Sequence, residues 1–439
     1  MNFRWQDSAR RPSGSYQVLV IRNIVKRLWR SERGNVAVTF GLLALPLIMV
    51  GGLAIDYTRM TSAQTRLDKA ADSAALAAVA QNAGTSPTLA TRKSTGEQTF
   101  VQNATVGNNA TYTYSVVVTQ ANLTLTAKAT YTATVPLIFG NLIGMASTTI
   151  SGSSSATSSL PPYIDVYLMI DTSGSMALGA SQADIDQLMS KTGCAFACHD
   201  GSSSYWVNGK WTDSYGYAIA NNISLRFQIV NQGIQNLIQV ATQSNSPTPK
   251  IRLALYGFDV NLNQLATITY NFTQIQNNYP STPSSSGESD GATHFNENIT
   301  AMLNAVGTGG DGSTQATAKK LLIIATDGVQ DPGRFWTWNL PYRAQVDVLD
   351  TSFCKTAASK NVSVGFVHTP YLPMAWDWGY NATLGMPSQH GGSGTRDDDV
   401  EPMLRACAGN LYLKASDTQG IKDAFVKIFQ NFSSPRITN

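Results

Sequence analysis

Hydrophobic and polar positions fall into three successive patterns along the chain. The first is an uninterrupted apolar run from Val36 to Ile55, "VAVTFGLLALPLIMVGGLAI", without a charged residue. At a helical rise of about 1.5 Å per residue it covers the roughly 30 Å hydrocarbon layer of a bilayer, which predicts a membrane span. It continues into "YTRMTSAQTRLDKAADSAALAAVAQ", where Met60, Ala63, Leu67, Ala70, Ala74 and Ala78 recur at helical spacing. That periodicity predicts a helix carried on beyond the membrane, its small-residue face packing on the next segment of the chain in preference to a partner helix. From Ala110 to Ala156 the period changes to two: "TYTYSVVVTQ", "LTLTAKATYTATV" and "ASTTISGSSSAT" alternate around the apolar "PLIFGNLIG". These predict a small sheet with one short helix. Beyond Tyr163, apolar runs such as "YIDVYLMI", "IRLALYGF", "KKLLIIATD" and "NVSVGFVH" alternate with amphipathic stretches such as "LRFQIVNQGIQNLIQVA", "ENITAMLNAV" and "IKDAFVKIFQNF". Continuous apolar strands between amphipathic helices indicate a mostly parallel sheet covered on both faces, a doubly wound α/β domain.

The expected organisation is a basic segment 1–33, a membrane helix with its continuation at 34–82 and a small β-rich region at 83–150. A Ser/Pro linker at 151–162, "SGSSSATSSLPP", would then lead into an α/β domain at 163–439, with insertions near 177–222 and 329–402. Both insertions are rich in aromatics, Trp206, Trp211, Tyr215 and Tyr217 in the first and Trp376 and Trp378 in the second. Each either overhangs the loops at the sheet edge or forms a satellite core.

Charge refines the picture locally. With 31 Lys+Arg against 28 Asp+Glu the formal charge of +3 gives no reason to expect a nucleic-acid partner. Before residue 34, however, eight basic residues (Arg4, Arg10, Arg11, Arg22, Lys26, Arg27, Arg30 and Arg33) face only Asp7 and Glu32. A flank of that sign holds the N-terminus in the cytoplasm and sends the chain after Asp56 across the membrane. The cysteines Cys194, Cys198, Cys354 and Cys407 then lie where disulfides persist. Three pairings are open, and the local one, Cys194 with Cys198 and Cys354 with Cys407, is preferred. In "CAFACHD" a haem would want two residues between the cysteines where three stand, and a zinc ion would need a further ligand.

The candidate chemistry lies at the end of the first α/β strand. In "DTSGSM", Asp171, Ser173 and Ser175 alternate, so an extended turn presents three oxygens to one point. Asp327, in "LLIIATDGVQD", ends another strand, and Thr293, in "SDGATHFNENI", opens a helix, with Thr300 and Thr314 as nearby rivals for that role. Strand carboxyl ends are where doubly wound folds bind ligands. Oxygen donors without a soft ligand suit a hard cation such as Mg²⁺.

This set resembles the metal-ion-dependent adhesion site of von Willebrand factor type A domains: Asp-x-Ser-x-Ser, a distant Thr, then a distant Asp. The resemblance implies that Asp171, Ser173, Ser175 and Thr293 approach the metal directly or by water and that Asp327 completes the sphere. An open position would remain for an acidic side chain of a partner protein. The stretch "ERGNVAVTFGLLALPLIMVGGLAIDYTRM" followed by "LDKAADSAALAAV" resembles the TadE/TadG-like proteins of bacterial tight-adherence pilus assembly. That implies a single-pass inner-membrane protein whose bulk is periplasmic or extracellular, with pilus or secretion-system components as partners. Gly34 is followed five residues later by Thr39 and not by the glutamate usual in processed pilin precursors, so an uncleaved anchor is expected. The expected role is metal-dependent binding without catalysis. Two other readings stand beside it: an envelope protein in which metal only stabilises the domain, and an aspartic protease. The latter needs two carboxylates in Asp-Thr-Gly loops, and here Gly174 is misplaced and "ATDGV" lacks the motif.

Overall fold

The computed structural model describes residues 35–81, 87–107, 110–193, 195, 205–284, 292–333, 340–372 and 374–433. The basic segment 1–33 and the expected Cys194–Cys198 pair lie outside these residues. The chain forms two compact units, the second beginning in the main at Ser158.

In the first unit, helix α1 runs unbroken from Asn35 to Val79. Its apolar N-terminal part is bare, with Phe40 73% and Leu42 69% exposed. From Ala63 onward one face is enclosed, and Leu67, Ala70, Ala74 and Ala78 have no exposed surface. Helix α2, Leu89–Asn103, lies against that face, so the small residues pack on the chain's own next segment. A Cβ on its Gly96 would meet Ala74 O and Ala78 Cβ at 3.1 Å, so glycine and alanine set how closely the two helices approach. Strands β1 (Thr111–Ala121), β2 (Thr124–Pro136) and β3 (Ser147–Ser159) form a sheet in that order. In β2 every second residue from Leu125 to Val135 is buried.

Two expectations change here. The region 83–150 is not purely β, because α2 occupies its start, capped by Thr88 Oγ1 accepting from Thr91 N at 3.1 Å. Most of the expected linker is strand β3: Ser151–Ser159 belong to the sheet. Backbone pairing along β2 orders a serine-rich stretch whose side chains alone give no core-forming signal.

The second unit is built on β4 (Ile164–Asp171), α3 (Gln182–Thr192), α4 (Arg226–Ser244), β5 (Ile251–Phe258), β6 (Leu262–Thr269) and α5 (Phe295–Val306). It continues through β7 (Lys319–Thr326), α6 (Phe353–Ser359), β8 (Val362–His368), α7 (Arg396–Ala408), β9 (Tyr412–Lys414) and α8 (Thr418–Ser433). The six-stranded sheet has the order β9-β8-β7-β4-β5-β6, parallel except for β6 against β5. This is the expected doubly wound arrangement. Every residue of β4 is buried, as its continuous apolar run requires. Asp165 survives in it because Arg252, its register partner on β5, donates Nε and Nη2 to the two carboxylate oxygens at 2.8 Å. The order reverses between β4 and β7, so their carboxyl ends flank the crevice where such folds bind ligands.

The first insertion packs its own satellite core of Ala177, Leu188, Tyr215, Ala218, Ile223 and Leu225. Leu178, Ile185 and Ala195 join Met374 of the second insertion in another. Trp206 and Trp211 stack edge-on at 5.4 Å yet stay 60% and 67% exposed. The acidic run after Arg396 opens α7, where Thr395 and Asp398 form a capping box and Arg396 is buried against the carbonyls of Arg343 and Val346.

Cys354 and Cys407 form the expected disulfide, tying α6 to α7 with Cα atoms 5.7 Å apart across 53 residues. Closing a loop of that length stabilises the folded chain by about 4 kcal/mol. Cys354→Ser should lower the chemical-denaturation free energy by about that amount, measured against wild type under oxidising conditions.

Candidate metal centre

The site is made where β4 and β7 end. Register places Ile170 opposite Ala325, so Asp171 comes level with Thr326. The Thr326 hydroxyl donates to Asp171 Oδ2 at 2.7 Å, and Ser173 N donates to Oδ1 at 2.9 Å. The chain then turns into a single 3-10 turn, Gly174–Ala177. The Ser173 and Ser175 hydroxyls stand 2.9 Å apart and share a hydrogen bond. Thr172 points the other way, its hydroxyl donating to Phe258 O at 3.0 Å. The alternation expected of Asp-x-Ser-x-Ser is thus physical, with odd positions turned to the site and the intervening threonine to the sheet.

Asp327 follows β7 directly. Its Oδ1 accepts from Val329 N at 3.1 Å, a tight turn that Gly328 permits by adopting φ +85°. A Cβ there would also meet Val400 Cγ1 at 2.6 Å. His368 holds the Asp327 carbonyl at 3.1 Å through Nε2. A carbonyl only accepts, so Nε2 carries the proton and Nδ1 accepts from Tyr412 Oη at 2.7 Å. Burial, then Lys414 and Arg226, push His368 down to about 3, keeping it neutral.

Thr293 is buried and placed by its backbone, which pairs both ways with Asp331 at 2.9 and 3.0 Å. Among the described residues no hydrogen bond joins its hydroxyl to the other four. Its rivals are further removed. Thr300 is exposed on α5, and Thr314 bonds Thr317 in a turn whose Gly312 carbonyl accepts from Tyr163 N, at the opposite end of β4.

The carboxyl groups feel one another. Asp171 is pushed up to about 7 by complete burial first and by the charge of Asp327 second. Asp327 is also raised by burial, against the opposing pull of Arg226 and the Ser175 and Tyr371 hydroxyls. Even so, Asp327 Oδ2 is buried and, among the described residues, has no hydrogen bond of acceptable geometry. Asp331 is pushed up to about 7, chiefly by burial, with Asp327 adding to it.

Sequence reasoning missed Arg226. It opens α4, is 2% exposed, donates Nη2 to Pro370 O and lies 5.0 Å from the centre of the Tyr371 ring. Among the described residues its Nη1 has no hydrogen-bond partner. A cation at a helix N-terminus opposes the helix dipole, so the acids must hold it there. The available signal was a basic residue on the buried stripe of α4, in step with Val230, Gly233 and Leu237.

Two buried carboxyls, two hydroxyls and one unsatisfied carboxylate oxygen fit a hard divalent ion such as Mg²⁺. Asp171, Ser173, Ser175 and Asp327 would hold it, and the Thr293 assignment rests on the resemblance alone. Among the described residues no group of three or more His, Cys, Asp or Glu has metal-site spacing, so the donor set depends on the hydroxyls.

The raised carboxyls set a pH dependence. Asp171 has an ordinary value of 3.8 when unfolded and about 7 when folded, so within that window the folded state keeps a proton that the unfolded state has released. Its contribution is full below about pH 4 and is lost as pH rises through about 7. The chelator-treated chain should therefore melt higher at pH 5 than at pH 8, and Mg²⁺ should raise Tm more at pH 8. Differential scanning calorimetry with and without Mg²⁺ checks both.

Residues 34–81 match the family model of Tad, Flp pilus-assembly TadE/G-like. No curated protein matches the chain significantly. Among solved structures the chain is similar to the vWF domain of the type V pili tip protein Mfa5 from Porphyromonas gingivalis, at 13% identity over 64% of this chain and 99% of that one, TM-score 0.36. It is similar to the conserved hypothetical protein BatB from Bacteroides thetaiotaomicron, at 13% identity over 61% and 99% of the two chains, TM-score 0.33. It is also similar to the open conformation of the pilus adhesin SpaC from Lactobacillus rhamnosus GG, at 13% identity over 73% and 34%, TM-score 0.34. The α/β fold itself follows from strand order and register.

Proposed function

Starting from a membrane-anchored chain that joins a TadE/G-like segment to a type A α/β domain, we propose that it is a metal-dependent adhesion component of pilus assembly or surface attachment. The N-terminal segment lies in the cytoplasm and the α/β domain is exported, in keeping with the eight basic residues before residue 34. The observation that carries the reading is the buried Asp327 Oδ2, without a hydrogen bond among the described residues, beside Asp171, whose carboxyl feels its charge, at the point where strand order reverses. Arg226 offsets only part of the cost of burying that group, and a further positive charge would offset more. A divalent ion held largely by hydroxyls stays electrophilic, and a carboxylate of a partner protein completes its sphere. The partner belongs to the pilus or to the attachment surface. Exposed Trp206, Trp211, Trp376 and Trp378 on the insertions supply the large aromatic contacts that protein interfaces favour. The protein acts by binding and not by turnover.

The test is replacement of the cellular copy by Ser173→Ala combined with Ser175→Ala. Membrane levels should be unchanged while pilus-dependent attachment falls at least tenfold. Undiminished attachment would overturn the reading.

A further inference from the structure

The apolar tip between β2 and β3 has no place in the metal site. Its residues Leu137–Ala146, "LIFGNLIGMA", include no ionisable group. Ile138, Leu142, Ile143 and Met145 are 57%, 69%, 51% and 55% exposed. This is an apolar cluster on a soluble-looking sheet, and such clusters mark interaction surfaces.

Its position is fixed by two contacts with α1. Asp56 accepts three backbone hydrogen bonds from the tip, from Ile138 N at 2.9 Å and from Phe139 N and Gly140 N at 2.8 Å. One turn earlier, Gly52 is buried in an otherwise bare stretch of helix, and a Cβ there would lie 2.3 Å from the Phe139 ring. The tip is also braced internally, Leu137 N donating to Ala146 O and Met145 N to Gly140 O, both at 2.9 Å. Gly52 stands three residues before the end of the apolar run Val36–Ile55, about 4.5 Å inside it at the helical rise. The exposed side chains of the tip therefore sit level with the last turn of the span.

We infer that this tip inserts into the outer headgroup–acyl boundary of the bilayer that α1 crosses, making a second, monotopic contact beside the span. The inference rests on reading Val36–Ile55 as a membrane span. Lipid is the occupant because the tip continues a surface that is itself lipid-facing and reaches the depth at which interfacial elements bury apolar side chains, about 5–10 Å. Asp56 is the pivot: its carboxylate satisfies three backbone N–H groups that would otherwise enter a low-dielectric layer unpaired. The result is a sheet that stands on the membrane by its tip alongside α1 and is not tethered by one helix alone.

The experiment uses the full chain in nanodiscs of phosphatidylethanolamine and phosphatidylglycerol. Leu142→Cys, Leu45→Cys and Thr119→Cys are each labelled with an environment-sensitive fluorophore, wild type treated alike giving the background. The Leu142 label should be quenched at least twofold more by lipid carrying a nitroxide near its headgroup than by aqueous iodide, with Thr119 behaving the opposite way. If the Leu142 label is quenched like Thr119 while Leu45 answers to lipid, the inference is wrong and the span stands. If Leu45 is also iodide-quenched, the span and the inference fail together.

Discussion

Asp171→Asn should abolish Mg²⁺ binding while making the metal-free domain more stable above pH 7. The two effects have opposite signs because the same carboxylate both ligates the ion and bears the cost of its own burial. Asparagine keeps the oxygen that accepts from Ser173 N and turns its amide toward the Thr326 hydroxyl, so the local hydrogen bonds can survive. What is removed is a fully buried charge beside Asp327, one that prefers to be protonated up to about pH 7. Relief of that burden is worth roughly 2–4 kcal/mol above pH 7 and nothing below about pH 4. Loss of the ligand should weaken Mg²⁺ by more than about a hundredfold, beyond what removal of a supporting residue costs. Calorimetric titration gives the second number and thermal denaturation in chelator gives the first. A variant that loses stability and still binds would contradict both.

Arg226→Met should produce the reverse pair. Arg226 is a buried cation whose largest favourable interaction is with Asp327. Removing one partner of a buried charge pair typically costs about 3–5 kcal/mol, because the other charge is left uncompensated. The metal-free variant should be destabilised by about that much. Mg²⁺ should then bind more tightly, on the order of tenfold, since the ion no longer enters against a resident positive charge, at about 1.4 kcal/mol per decade. In the wild-type chain Arg226 is the internal counter-ion that keeps the site folded without metal. Equal Mg²⁺ affinity in wild type and variant would show that the guanidinium and the ion do not compete for Asp327.

The α/β unit was legible because its strands are buried on both faces and therefore read as continuous apolar runs, with the helices between them in 3.6-residue step. Asp171 and Asp327 stood out by ending two such runs with a charge. Arg226 did not, since its meaning depends on Pro370, Tyr371 and Asp327, all more than a hundred residues away in sequence. Helix α2 was hidden for a different reason. Its buried face is only Arg92, Gly96 and Phe100, a stripe in which just one residue looks apolar. Only the capping Thr88 advertised it. Strand β3 was legible from the alternation in "ASTTISGSSSAT", but its Ser/Gly-rich second half also read as a linker, because small polar side chains give no core-forming signal and its order comes from pairing with the neighbouring strand. The role of Asp56 lay outside any local pattern, because three backbone groups more than eighty residues on define it.

Diffraction from crystals of the detergent-solubilised chain soaked in Mn²⁺, a spectroscopically visible stand-in for Mg²⁺, addresses the metal centre most directly. The account predicts one strong anomalous peak bounded by Asp171, Ser173 and Ser175, with Asp327 Oδ2 turned toward it. A well-ordered site with no peak there, at Mn²⁺ concentrations that fill ordinary divalent sites, would contradict it.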